Sequence, residues 1–255
     1  MQMYEGFAEV YDLLMEDVPY ERWCERITRW LDTYGISQTS EPGEPNIIVE
    51  LGCGTGTMTK LLADLGYDMI GIDNSSAMLD IANRKKDEHG HDILYLCQDM
   101  QEFELYGAVG AFVCVCDSIN YLLGDEELAA TFRLIHNYLC PGGIFIFDFN
   151  TVYHYETRIG NATIVDSYEE CDFIWDNFYH PDQELNEYAL TFFVKEADGR
   201  FRRFQETHWQ RGLDWGKVGE LLTAAGFTII TAVDDETDAA PHDMSTRIVV
   251  VVKRV

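Results

Sequence analysis

Short apolar segments alternate with amphipathic segments along the first part of the chain, and this alternation predicts most of the fold. The apolar segments have the length of strands and lie at residues 47–51, 69–72, 93–96, 109–116 and 144–149. Between them, apolar residues recur at helical spacing at residues 58–65 and 78–86, and again from Asp125 to Pro141-Gly142-Gly143, where we expect that helix to end. Strands buried on both faces read as continuous apolar runs, and helices between them form βαβ units. The pattern predicts an α/β fold with a doubly wound, mostly parallel sheet.

The two flanks of this region follow other patterns. On the N-terminal side, one helical stripe predicts an amphipathic helix that begins near Pro19, and a loop follows at residues 40–45. The stripe consists of Trp23, Ile27, Trp30, Leu31 and Tyr34. After Asn150, strand-like segments at residues 173–179, 185–194 and 201–209 follow one another without helices, with a hairpin turn at Asp198-Gly199. A helix at residues 215–225 and strands at residues 227–233 and 247–252 complete the pattern.

Composition and charge narrow the range of partners. The 255 residues include 45 acidic and 18 basic side chains, a formal net charge of −27, which repels a nucleic-acid backbone and argues against DNA as a partner. The acidity either serves solubility alone or favours neutral and cationic small substrates. Seven cysteines without CxxC pairs or zinc spacing predict reduced thiols and no metal site. Without a secretory pattern or a membrane-length apolar run, we expect a cytoplasmic protein that does not bind membranes.

The first strand leads into a glycine-rich turn. The sequence Glu50-Leu51-Gly52-Cys53-Gly54-Thr55-Gly56 places glycines where the backbone turns sharply into a helix, and ligands of such sheets bind at the carboxyl ends of the strands. Its GxGxG spacing differs from the GxGxxG spacing that seats a pyrophosphate. An acid at position 50 would repel a pyrophosphate and attract an amino group. The turn therefore favours a cofactor with an ammonium and a sulfonium group, and a purely structural tight turn is the alternative.

Three further strand ends carry residues with ligand-binding chemistry. Asp73 ends the second strand, 17 residues after Gly56, where a carboxylate can accept both hydroxyls of a ribose. After the third strand, Asp99 could accept the amine of an adenine and the amide of Met100 could meet the ring edge. Alternatively, Asp99 caps the following turn. Cys116 ends the fourth strand, where packing is the alternative to ligand contact.

Together, the glycine turn, Asp73, Asp99 and Cys116 resemble the class I S-adenosylmethionine-dependent methyltransferases over residues 4–150. Tyr4, Tyr11, Tyr20 and Trp23, with Asp148-Phe149-Asn150-Thr151, are similar to residues of a group of bacterial, largely Firmicute, methyltransferases of unassigned substrate. The resemblance implies a seven-stranded sheet with an antiparallel last strand. It also implies the methionine part of the cofactor on the glycine turn, the ribose on Asp73 and the adenine near Asp99. The implied cofactor-binding residues are Tyr11, Glu50, Gly52, Cys53, Gly54, Gly56, Asp73, Asn74, Met78, Asp99, Met100 and Cys116.

The resemblance also suggests how the chain is divided. We expect a cofactor-binding core with a helical cover at residues 1–150, an antiparallel cap over the substrate at residues 151–211, and a C-terminal part at residues 212–255 that completes the sheet. Among the aromatic residues of the cover, we expect Tyr11 to face the sulfonium, since aromatic faces attract such cations. Packing of an amphipathic helix is the alternative for this group.

Catalytic candidates lie near or inside the cap. His154, His208 and Tyr153 are candidates for a general base, although a lone histidine is more often structural. Arg202, Arg203 and Arg211 form either a clamp for a substrate carboxylate or salt-bridged surface charge.

We therefore expect an enzyme that moves a methyl group from S-adenosylmethionine to an N, O or C nucleophile of a small molecule. A non-catalytic module that binds the cofactor or a protein is one alternative. A nucleotide-dependent oxidoreductase is the other, disfavoured by the glycine spacing and by Glu50.

Overall fold

The computed structural model describes residues 7–34, 36 and 46–255, which form two sheets. The strands are β1 Ile47–Leu51, β2 Asp68–Asp73, β3 Leu94–Cys97, β4 Val109–Cys114, β5 Leu139–Asn150, β6 Thr163–Ser167, β7 Cys171–His180, β8 Leu185–Lys195, β9 Phe201–Arg211, β10 Phe227–Asp234 and β11 Arg247–Arg254. The larger sheet has seven strands in the order β10-β11-β5-β4-β1-β2-β3, and β11 runs antiparallel to both of its neighbours. The predicted seven-stranded, mostly parallel sheet with an antiparallel last strand is confirmed.

Helices cover both faces of this sheet. They are α1 Ala8–Leu14, α2 Tyr20–Thr33, α3 Thr57–Asp64, α4 Ser76–His89, α5 Asp125–Tyr138 and α6 Trp215–Ala224. One apolar cluster joins the sheet to α5 and α6 through residues such as Phe132 and Leu222, and a second joins it to α2 and α3 through Ile27 and Met58. This arrangement on two faces is the doubly wound architecture that the alternating pattern predicts. None of the described helices is long and apolar enough to cross a membrane.

The smaller sheet is antiparallel, with the order β6-β7-β8-β9. Its inner face forms a third apolar cluster that includes Tyr155 and Phe192, and Val10 of α1 belongs to the same cluster. The short α1 therefore lies between the two sheets and contacts the smaller one through apolar packing. Sequence patterns missed β6 and the single π-helical turn at His154–Ile159. The division at residues 150 and 211 stays a prediction.

Several predicted boundaries were wrong. The α5 helix ends at Tyr138, and Pro141-Gly142-Gly143 lie in an irregular first part of β5, where the pairing with β4 shifts between Val109 and Ala111. The apolar run at residues 109–116 is longer than its strand, because β4 ends at Cys114 and the chain then turns. The predicted loop at residues 40–45 lies outside the described residues.

Candidate cofactor and active site

The segment that follows β4 packs tightly against the glycine turn between β1 and α3. Gly52, Gly54 and Gly56 all have positive φ angles, of 67°, 54° and 77°. A Cβ atom at Gly52 would lie 2.7 Å from the side chain of Ser118, which follows β4. Glycine is therefore required here both by backbone conformation and by close approach of the neighbouring strand end.

Asp73 connects the end of β2 to this turn. Its carboxylate accepts hydrogen bonds from the backbone N–H groups of Gly54 and Ser75, each at 2.8 Å. Burial raises the pKa of this carboxyl group, against the lowering effect of those two bonds. Asp73 therefore fixes the conformation of the glycine turn through these two hydrogen bonds. The predicted bond to a ribose would be a second role of the same carboxylate.

Glu50 is a buried acid, and none of the described groups that shift its pKa is a cation. The hydroxyl of Thr59 donates a hydrogen bond to the carboxylate, and the like charge of Asp73 contributes to raising the pKa of Glu50. Burial raises the pKa of Glu50 to about 8. The side chain thus carries a proton near neutral pH, and a bound cation would stabilise its ionised form.

A pocket lies between the glycine turn, the end of β4 and the tyrosines of the N-terminal helices. Tyr11 and Tyr20 hydrogen-bond to each other, Tyr20 also contacts the Cys116 thiol, and burial raises the pKa of all three groups. The ring of Tyr11 comes within 3.9 Å of the point where a side chain would begin at Gly54. The lining residues are Tyr11, Tyr20, Glu50, Gly52, Cys53, Thr55, Thr57, Met58, Val115 and Cys116.

Other predicted cofactor residues lie along the same edge but do not line this pocket. Asn74 is exposed after β2, and Met78 is buried in the first turn of α4, whose N-terminus Ser75 caps. Asp99 accepts a hydrogen bond from the backbone N–H of Gln101 at 2.8 Å, which is the turn-capping geometry considered as its alternative. The Cε atom of Met100 lies 3.6 Å from the position that a Cβ atom would take at Gly52. Their roles toward a cofactor stay predictions, and Tyr4 lies outside the described residues.

A polar contact that the sequence did not indicate fastens α1 to the glycine turn. The hydroxyl of Thr55 donates to Asp12 at 2.6 Å, and Lys85 of α4 lies 2.6 Å from the other oxygen of the same carboxylate. These residues are 43 and 73 positions from Asp12 along the chain, so no local pattern could connect them. The contact holds Tyr11, which is on the same helix, over the pocket.

Comparison with known proteins bears directly on this geometry. The methyltransferase domain family matches residues 48–143, from β1 to the start of β5. The protein GWCH70_2453 of Geobacillus sp. (strain WCH70), a methyltransferase by its name, is 34% identical over 251 residues, which cover 98% of this chain and 99% of that protein. An S-adenosylmethionine-dependent methyltransferase from Clostridium acetobutylicum ATCC 824 superposes with a TM-score of 0.86, at 26% identity and 98% coverage of both chains.

The chain belongs to the S-adenosylmethionine-dependent methyltransferases. The resemblance to the Firmicute group is thereby confirmed. The predictions that the protein is an enzyme and that it uses S-adenosylmethionine are confirmed as well. A third relative covers only part of the chain. It is the dTDP-3-amino-3,6-dideoxy-alpha-D-glucopyranose N,N-dimethyltransferase of Streptomyces fradiae, 28% identical over 148 residues, or 56% of this chain and 53% of that enzyme.

The pocket of this methyltransferase suits S-adenosylmethionine on chemical grounds. Glu50 offers a buried carboxylate on which no cation of the described residues acts, which matches an α-ammonium group. The rings of Tyr11 and Tyr20 offer aromatic faces for a sulfonium. The glycine turn lets a ligand approach the backbone closely, because side chains are absent at three positions. The residues present therefore fit the cofactor.

The catalytic candidates of the methyltransferase do not converge on one point. Tyr153 and His154 lie at the π-helical turn, and burial lowers the pKa of His154 to about 4, so its imidazole is neutral at physiological pH. His208 is buried on β9, with its Nε2 atom 3.4 Å from a carboxylate oxygen of Glu206 and its ring 5.4 Å from that of Phe7. None of the three lines the pocket beneath the tyrosines. A catalytic role for any of them stays a prediction.

Two of the three arginines of β9 form ion pairs with acidic residues of the chain itself. Arg202 pairs with Glu9 and Glu196, and Arg211 pairs with Asp125 and Glu184. The two guanidinium groups thus neutralise surface carboxylates at separate places. This geometry favours the alternative of salt-bridged surface charge over a clamp for a substrate carboxylate.

Proposed function

We propose that this methyltransferase methylates a nucleophile on a small molecule bound between the glycine turn and the antiparallel cap. The observation that carries the proposal is the pocket at the carboxyl end of the parallel strands, with Glu50 and the glycine turn on one side and Tyr11 and Tyr20 on the other. Such pockets at strand ends are the usual ligand sites of open α/β sheets. The smaller sheet and α1 would then enclose the acceptor.

In this proposal the chain binds and orients both reactants. Glu50 holds the α-ammonium group, Asp73 the ribose hydroxyls, and the Asp99 and Met100 region the adenine, flanked by Asn74 and Met78. When bound, S-adenosylmethionine supplies an electrophilic methyl group on its sulfonium. The tyrosine faces stabilise the positive charge and exclude water, and the cap holds the acceptor in line. Positioning and water exclusion can provide most of the rate increase for such a displacement.

We further propose nitrogen as the acceptor atom. The partly buried carboxylate of Asp117 and the buried carboxylate of Asp148 share one arginine, Arg247, and Glu206 lies on the inner side of the cap beside His208. This excess of negative charge favours an amine over a carboxylate as the acceptor group. The Streptomyces relative, which by its name dimethylates an amino sugar, supports the same choice. His208, next to Glu206, is then the candidate to accept the proton that the amine loses.

The test is a methylation assay that does not presuppose the acceptor. Purified protein is incubated with S-adenosylmethionine and a panel of amino sugars, amino acids and polyamines, each beside its hydroxyl, carboxylate or phosphate counterpart. Products are detected by mass spectrometry as the gain of one methyl group. Methylated amines would support the proposal. Methylation of carboxylates or hydroxyls alone would overturn the choice of nitrogen, and methylation of proteins or RNA alone would overturn the choice of a small molecule.

A further inference from the structure

Two consecutive residues after β4 adopt a backbone conformation that side chains disfavour. Cys116 and Asp117 have φ angles of 59° and 50°, and neither is glycine. The left-handed region is sterically unfavourable for residues that have a Cβ atom. Cys116 also lines the pocket next to Tyr20. Strain of this kind persists only where surrounding contacts fix it, and it concentrates at functional sites.

The contacts that fix this turn come from two neighbouring strands. Asp148 on β5, which is 2% exposed, accepts hydrogen bonds from the backbone N–H groups of Cys116 at 3.1 Å and Asp117 at 2.7 Å. Arg247 on β11 donates to Asp148 at 3.1 Å and to Asp117 at 2.6 Å. Its guanidinium lies over the ring of Trp23, 5.2 Å from the centroid. One oxygen of Asp117 is thus bound within the core of the methyltransferase.

The other oxygen of Asp117 is bound by the cap. Gln210 on β9, also 2% exposed, donates from Nε2 to Asp117 at 2.7 Å. Its Oε1 accepts a hydrogen bond from the hydroxyl of Tyr155 at 2.7 Å. Tyr155 belongs to the apolar cluster under the smaller sheet. The amide side chain of Gln210 therefore joins the inner face of the cap to the strained turn at the wall of the pocket, beside the bond that the Asn120 amide donates to the backbone oxygen of Arg211 at 2.6 Å.

We propose that Gln210 is a positioning residue that makes the shape of the pocket wall at Cys116 depend on how the cap is seated over the sheet. When Gln210 and Tyr155 are in place, Asp117 is held from both sides and the turn keeps its left-handed conformation. When the cap shifts, the bond from Gln210 is lost, and the turn relaxes at the pocket wall. Acceptor binding under the cap and cofactor binding beneath the tyrosines are thereby coupled; this consequence rests on the proposed function.

The substitution Gln210→Glu separates this role from simple packing. A protonated glutamic acid has the same shape and can still donate to Asp117 and accept from Tyr155, whereas its ionised form places two carboxylates face to face. The variant should therefore match the wild type at low pH and lose the contact at high pH. The titratable and charged groups that face this position are Asp117, Arg247, Asp148, Cys116, Tyr155, Tyr188 and His154. All are shared with the wild type, so each measurement is expressed relative to the wild type at the same pH.

Two measurements are made on each protein. Hydrogen exchange by mass spectrometry reports the order of residues 115–121 without a ligand, and calorimetry reports the affinity for S-adenosylhomocysteine. For Gln210→Glu at pH 8.5 we expect faster exchange in this segment and affinity lower by about 10-fold, with recovery to within about 2-fold at pH 6.0. Gln205→Glu is the matched control, because Gln205 is exposed on the same strand, and it should match the wild type throughout.

Additional variants keep the proposal testable if Gln210→Glu does not fold. Gln210→Leu and Tyr155→Phe remove the hydrogen bonds without adding charge, and both should speed exchange in residues 115–121 at every pH. Wild-type exchange in these variants would overturn the proposal, as would a Gln210→Glu defect that does not recover at low pH. A wild-type protein that fails to bind S-adenosylhomocysteine would contradict the proposed cofactor pocket, while hydrogen exchange would still decide the role of Gln210.

Discussion

The carboxylate of Asp73 accepts a hydrogen bond from the backbone N–H of Gly54 at 2.8 Å, so the residue proposed to hold the ribose also fixes the glycine turn. Both tasks depend on one side chain at the end of β2. A substitution here should therefore affect the free protein as well as its cofactor complex.

We predict that Asp73→Ala lowers affinity for S-adenosylhomocysteine by roughly 10- to 100-fold, because charge-assisted bonds to the ribose are worth about 1.5 to 3 kcal/mol. It should also lower the free energy of unfolding by about 1 to 3 kcal/mol, since two backbone donors lose their acceptor. Calorimetry and urea unfolding check the two effects. Asp68→Ala, at the exposed start of the same strand, should change neither. A folded Asp73→Ala protein with unchanged affinity would place the ribose elsewhere.

The second prediction concerns stability and pH at Glu50. Its pKa is raised from an ordinary value of 4.5 to about 8, so the folded protein binds a proton that the unfolded chain has lost between these two values. Its contribution to stability is complete below pH 4.5 and is lost as pH rises toward 8, with a slope of up to about 1.4 kcal/mol per pH unit.

Glu50→Gln should remove that slope while keeping the shape and the Thr59 contact. The difference in the free energy of unfolding between wild type and variant, measured in urea at pH 5.5, 7.0 and 8.5, should move steadily in favour of the variant. Asp148 also has a raised pKa, but it is present in both proteins and is not among the groups that shift Glu50, so it does not affect the difference. Glu102→Gln, at an exposed position, should leave the profile unchanged. Parallel profiles for wild type and Glu50→Gln would show that Glu50 is already ionised at neutral pH.

The third prediction concerns the proton of Glu50 during binding. If the α-ammonium group of the cofactor contacts this carboxylate, the ionised form is stabilised and a proton leaves on binding. Calorimetry with S-adenosylhomocysteine at pH 7, in buffers with different ionisation enthalpies, should detect the release of close to one proton. Affinity should rise with pH between about 6 and 8 and then level off. In Glu50→Gln the proton release should vanish and the affinity fall. Proton release that persists in this variant would assign it to another group.

Local patterns in the sequence were sufficient for the architecture but insufficient for the contacts around the site. The alternation of apolar runs and amphipathic helices predicts the doubly wound, mostly parallel sheet because each element carries its own period, whereas the number of seven strands came from the resemblance to the methyltransferases. The strand β6, in contrast, is mostly exposed and lacks a continuous apolar run, so no pattern marked it. The end of β4 was placed two residues late, because its position depends on hydrogen bonds to Asp148, which lies 32 residues from Cys116.

The same distinction applies to the site. The positions of Glu50 and Asp73 beside the glycine turn could be predicted because each adjoins a strand end in a recognisable spacing, while their roles toward the cofactor stay predictions. Asp12, Gln210 and Arg247 could not, since each acts as a single polar residue that the fold brings to a distant partner. In the sequence, such a residue cannot be distinguished from a polar residue of the protein surface. Only the fold shows which polar residues contact the site.

The last prediction concerns the contact between α1 and the glycine turn. Asp12 of α1 is bound by Thr55 and Lys85, and Asp12 is substantially exposed, so the ion pair contributes little to global stability, under about 1 kcal/mol. It nevertheless fastens the helix that carries Tyr11 over the pocket. We predict that Asp12→Asn and Lys85→Gln each leave the free energy of unfolding within about 1 kcal/mol of wild type but raise the dissociation rate of S-adenosylhomocysteine several-fold, because the ligand leaves once α1 opens.

Raising the salt concentration should speed dissociation from the wild type more than from either variant, since the variants have already lost the screened pair. The double variant should show less than the sum of the two single effects, because both substitutions remove the same interaction. Lys86→Gln, at the neighbouring lysine whose ion pair among the described residues is with the exposed Asp87, is the matched control for the change in charge. Stopped-flow displacement measures all of these rates. Equal dissociation rates in wild type, Asp12→Asn and Lys85→Gln would mean that the cofactor leaves by a route that does not require α1 to move.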